Sequence, residues 1–169
     1  MKHVEIADAD LRQAANNGID DFVRVFINAI KDSIGGELTA ENMELLNNDQ
    51  ITLLGWDVLH EEVMDGGMVQ LIHNGYGPFI FKNPFAKALN KLWGMRELSK
   101  KVYEAHTLYV NYGTEIEKDC TDEEFMALFE RFPEFDDFDD HFIENEEQYT
   151  EQVARYIDEH IENFATIKQ

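Results

Sequence analysis

Apolar positions along this chain recur at intervals of three and four, the period of a helix with one buried face. Phe22, Val23, Phe26, Ile27, Ile30 and Ile34 form the first stripe, and Gly35-Gly36 predicts its end. Thr39 has the side chain of an N-cap for a short helix carrying Met43 and Leu46. Leu53, Leu54, Trp56, Leu59, Val63 and Met64 make a third face, stopped by Gly66-Gly67. A short apolar helix from Met68 to His73 follows, and Gly75-Tyr76-Gly77-Pro78 predicts a turn.

Phe79-Ile80-Phe81 is too short for periodicity to decide between a strand fragment and an extended connector. Asn83-Pro84 reads as an N-cap with proline at the first helical position, and Gly94 closes that helix after Trp93. Another helix covers about Glu97 to Tyr112. Thr121-Asp122-Glu123-Glu124 has the form of a capping box before Phe125, Leu128 and Phe129. Pro133 breaks the chain, Phe135, Phe138 and Phe142 resume the three-four spacing, and a last helix aligns Tyr149, Val153, Tyr156, Ile157, Ile161 and Phe164. The expectation is an all-α, single globular multi-helix domain over residues 1–169. It has about eight helices and room for one minor extended element.

Composition sharpens that picture. The chain has 169 residues, 44% of them hydrophobic, enough for one substantial core. Twelve Phe, six Tyr and two Trp exclude a disordered acidic tail, which lacks aromatics. Thirty-five acids against fourteen bases give a formal net charge of -21. Small soluble domains usually carry a magnitude of about 2–8. The charge is unevenly placed: residues 66–114 hold two acids and six bases, whereas residues 115–169 hold nineteen acids and four bases. Direct binding to nucleic acid or to an anionic membrane is disfavoured, since both require cationic partners. No window of about 18 apolar residues is present to span a bilayer, and the N-terminus lacks an apolar signal core, so a cytoplasmic location is expected.

Candidate chemistry is sparse. Cys120 is the sole cysteine, which excludes an internal disulfide and a thiolate metal cluster. His60-Glu61-Glu62 opens like a zinc-protease helix, but Met64 stands where its second histidine belongs. Counting from Asp136, an EF-hand would need an oxygen ligand at Phe138 and a glycine at His141. No phosphate-cradling loop or nucleophile elbow exists around the glycines or around Ser33 and Ser99. No cofactor, metal or catalytic residue is expected, and the protein reads as a non-enzyme.

Two stretches stand out. In the first, Gly66 and Gly67 allow a sharp reversal, and Gln70 and Asn74, four apart, share one face of the next helix. Their amides are expected to satisfy backbone groups freed at the turn; the functional alternative is a polar pocket beside His73. In the second, Phe135, Phe138 and Phe142 can anchor a helix to the core, so that Asp136, Asp137, Asp139 and Asp140 face water. Residues three or four apart on a helix lie about 5–6 Å from one another. Asp137, Asp140, Glu144, Glu147 and Glu151 would form such a row, resembling the closely spaced phosphates of a DNA strand.

Glu61-Glu62-Val63-Met64-Asp65-Gly66-Gly67, followed by Gln70 and Asn74, resembles the core signature of a bacterial DNA-mimic protein family, most of whose members have no assigned role. The family pattern has Asn where this chain has Asp65, Phe where it has Met68, and an aromatic pair in place of Leu71-Ile72. The likeness covers roughly residues 50–165. It implies a helical fold, scope for dimerisation, and binding to a basic DNA-binding protein such as a helix-turn-helix regulator. In that reading Asp136, Asp137, Asp139, Asp140, Glu144, Glu147 and Glu151 occupy the phosphate-binding groove. The rival expectation is a helical adaptor or immunity-type protein that docks through Gly66–Phe81, with acidity serving only solubility.

Overall fold

The long apolar stripes become helices in the computed structural model, which describes residues 3–169, except that the last, Tyr149 to Phe164, is divided at His160, whose backbone is not helical. Two compact units divide the chain: residues up to Leu54 together with Glu147–Gln169, and Gly55–Glu146. Among the described residues the protein is all-α apart from one two-stranded sheet.

In the first unit, strands β1 (Glu5–Ala7) and β2 (Thr166–Lys168) pair in parallel, with Ile6 opposite Ile167. This sheet is the minor extended element, placed away from Phe79–Phe81, because strand pairing joins distant segments that local pattern cannot connect. Helix α1 (Asp8–Asn17) and helix α2 (Ile19–Ser33) meet at Gly18. The α2 stripe buries Val23, Phe26, Ile27 and Ile30, and its end is sealed by the Gly36 N–H donating to the Lys31 carbonyl at 2.8 Å. Thr39 and Asn42 cap each other's backbone N–H groups, and the turn they start is a 3-10 helix over Asn42–Leu45. Asn47 and Gln50 make the same reciprocal exchange where helix α3 (Asn48–His73) begins. Helix α7 (Asp136–Glu159) and helix α8 (Ile161–Phe164) contribute Tyr156, Asn163 and Phe164. Asp49 accepts from the Tyr156 hydroxyl at 3.1 Å and from Asn163 Nδ2 at 2.9 Å, while Gln50 donates to the Phe164 carbonyl at 3.0 Å.

The second unit holds the rest of α3, helix α4 (Phe85–Lys91), helix α5 (Arg96–Glu117), helix α6 (Asp122–Arg131) and the start of α7. Its buried side chains include Trp56, Leu59, Met68, Leu71, Ile72, Leu98, Ile116, Phe135 and Phe142. The Thr121–Glu124 capping box forms as expected. Helix α5 outruns its expected end at Tyr112, because Gly113 and Ile116 continue the inward stripe of Leu98, Val102, Ala105 and Tyr109. Residues Pro78–Lys82 are neither strand nor extended connector but one π-helical turn, which buries the adjacent Ile80 and Phe81 together. Phe81 stacks on Tyr109 at 4.9 Å. Pro84, not Asn83, occupies the N-cap position of α4, and no side chain caps that helix.

Candidate functional site

Gly67 decides the local geometry of the glycine motif. Its backbone (φ 82, ψ 178) is one that side-chain-bearing residues avoid, and it breaks α3 into two helical segments at the expected place. The segment starting at Met68 therefore has a glycine where an N-cap side chain would sit, and its first N–H must look elsewhere. It finds Asp139 of α7: the Met68 N–H donates to Asp139 Oδ1 at 2.8 Å. A Cβ on Gly67 would collide with that carboxylate, and one on Gly66 would collide with the Gln70 side-chain amide.

Gln70 and Asn74 brace the same break from the other side. Gln70 Nε2 donates to Glu62 at 2.7 Å and to Asp65 at 2.9 Å, and Asn74 Nδ2 donates to Glu62 at 3.1 Å. This corrects the expectation that these amides satisfy backbone groups freed at the turn: their acceptors are carboxylates before the break, and the freed Met68 N–H is taken by Asp139. His73 is engaged away from them. Its Nδ1 lies 2.8 Å from the Ile116 carbonyl, to which it donates, and the Phe125 ring is 4.8 Å from its own. Its Nε2 is 3.9 Å from Cys120 Sγ. Partial burial comes first in pushing the Cys120 thiol up from its ordinary value, and Glu124, Asp119 and Asp122 add to it. The thiol is thereby kept from the reactive thiolate form.

The acidic helix divides its carboxylates between two tasks. Phe138 and Phe142 of α7 are buried, as is Phe135 in the preceding 3-10 turn (Pro133–Phe135). Asp136, Asp137, Asp140 and Glu144 are exposed in the second unit; Glu147 and Glu151 are exposed in the first. Among the described residues none of these six pairs with Lys or Arg, unlike Glu115, which is held low by Lys118 and Arg131. Asp139 departs from the expectation. It is partly buried and spent on Met68, because it sits on the flank of α7 next to the Phe142 stripe rather than opposite it. Loss of water raises its pKa to about 6; the Met68 hydrogen bond pulls it down, and Asp136 and Asp140 push it further up. The signal for this role was present but negative: a helix start at Gly66-Gly67-Met68 with no capping side chain of its own.

The region of the rival docking surface is partly closed. Ile80 and Phe81 are buried in the second unit's own core, whereas Asn74, Gly75 and Pro78 are exposed. Among the described residues no three His, Cys, Asp or Glu side chains converge as metal ligands, and no helix is long and apolar enough to cross a membrane.

The glycine break, its amide braces and the acidic helix all lie within residues 44–160, which match the family model described as DMP19-like protein. The chain belongs to the DMP19-like protein family. A curated member, the DNA mimic protein DMP19 of Neisseria meningitidis serogroup B, is 36% identical over 130 residues, covering 76% of this chain and 78% of that protein. The family match includes Gly66, Gly67, Gln70 and Asn74 together with every one of the candidate carboxylates.

Proposed function

We propose that this chain is a DNA mimic, acting by occupancy rather than catalysis. Its target is the phosphate-gripping surface of a basic cytoplasmic DNA-binding protein, such as a helix-turn-helix regulator. The observation that carries this reading is the exposure of Asp136, Asp137, Asp140 and Glu144 at three- and four-residue spacing, with none of them ion-paired to Lys or Arg among the described residues. Such a face attracts a basic partner at a distance. Similarity to a protein named as a DNA mimic supports the same role. Glu147 and Glu151 are exposed in the other unit, and Asp139 leaves the candidate set, since its carboxylate is engaged inside the fold.

Binding of this kind falls steeply with ionic strength and is competed by duplex DNA. The test is capture of partners from the native lysate, with washes at graded salt and elution by DNA. The expected outcome is a basic DNA-binding protein released by either. Asp136→Asn, Asp137→Asn and Asp140→Asn together are expected to weaken capture at least tenfold. A partner that resists both salt and DNA would remove the mechanism.

A further inference from the structure

Two large apolar side chains are exposed on helices α3 and α7 within the second unit: Met64 is 42% exposed and Ile143 is 51% exposed. Taken singly, an exposed apolar residue needs no explanation. Their placement is what matters. Within the second unit, α3 and α7 are tied at two levels, His60 to Glu146 at 2.7 Å and Met68 to Asp139 at 2.8 Å. The ties run in opposite chain directions, so these segments are antiparallel. Met64 lies midway between His60 and Met68, and Ile143 midway between Asp139 and Glu146. Both residues therefore fall at the same level of the helix pair. Asp136 and Asp140 lie on the same flank of α7 as Ile143, seven and three residues before it, and Asp65, exposed, adjoins Met64.

We infer that Met64 and Ile143 form an apolar seat inside the carboxylate field, and that its occupant is a basic helix carrying an apolar residue at the centre of its charged face. The inference rests on the DNA-mimic reading and specifies the partner's chemistry. Duplex DNA offers a reading helix more than phosphates, since the thymine methyl takes apolar contacts in the major groove. A mimic with carboxylates alone would leave the apolar side chain of such a helix unmatched. An apolar seat also excludes water from the surrounding ion pairs, which strengthens them.

The test measures fluorescence anisotropy of two synthetic helical peptides with the full chain, over a series of salt concentrations. Both peptides carry the same lysines and arginines; one has leucine at the centre of the basic face and the other serine. The leucine peptide is expected to bind about tenfold tighter, the worth of one well-buried apolar group, with the ratio persisting at high salt. Met64→Gln with Ile143→Gln is expected to abolish that ratio and leave the salt slope intact, whereas Asp136→Asn with Asp140→Asn should flatten the slope and keep the ratio. Equal binding of the two peptides to the unmodified protein, with a steep salt slope, would overturn the apolar seat while leaving a basic partner in place. Failure of both peptides to bind at low salt would overturn the basic partner and the seat with it. The comparison between peptides on the unmodified protein stands even if the glutamine variant folds poorly.

Discussion

Asp49 in the first unit and Asp139 in the second are both carboxylates drawn into helical packing, and they are treated very differently. Asp49 is buried and receives donors from side chains, the Tyr156 hydroxyl and Asn163 Nδ2. Burial first, and the Asp49 charge second, push the Tyr156 phenol up to about 12, so that it remains a donor throughout the ordinary pH range. Asp139 receives the Met68 backbone N–H, stands beside two further aspartates, and has its pKa raised to about 6. A surplus of acid therefore does not make carboxylates interchangeable: Asp49 serves side-chain donors, whereas Asp139 caps a helix at a site where loss of water resists its charge.

Three substitutions sharpen that contrast. Asp49→Ala would remove the shared acceptor of the Tyr156 hydroxyl and the Asn163 amide, costing about 2–3 kcal/mol by urea unfolding. Gly67→Ala places a side chain in a glycine-only backbone and against the Asp139 carboxylate, at a cost of about 2–3 kcal/mol. Loss of less than about 1 kcal/mol would mean that the break is not held by this contact.

Asp139→Asn acts through pH. A carboxyl whose folded pKa is above its unfolded value binds more protons when folded, so it favours the folded state below pH 4. That advantage is lost as pH rises from about 4 to 6. The loss is at most about 3 kcal/mol, and smaller in practice because the site is only partly buried. Asparagine keeps an acceptor for the Met68 N–H and carries no charge. The difference in stability between Asp139→Asn and the natural protein should accordingly grow in favour of asparagine across that window. An unchanging difference would show that the charge is not resisted.

What could be read from the sequence was what local chemistry controls. The Thr121–Glu124 box, the end of α2 at its glycines and the break before Met68 each depend on a few neighbouring residues. The π-helical turn at Pro78–Lys82 was not legible, because it is packed by segments later in the chain, α4 and α5, where Phe81 meets His106 and Tyr109. The β1–β2 pairing joins segments about as far apart as the chain allows. Six of the seven candidate carboxylates are exposed as expected. Asp139 eluded the reading because helical periodicity assigns a flank residue to neither face, and its partner lies 71 positions earlier.

That separation has a kinetic side. The Met68 segment of α3 obtains its first-turn acceptor only after α7 has arrived, so its helix cannot be sealed during early local collapse. Contacts of such long range delay the rate-limiting step. Refolding of the second unit should thus wait on the docking of its most highly charged helix, and added salt, by quieting repulsion on that helix, should hasten the wait.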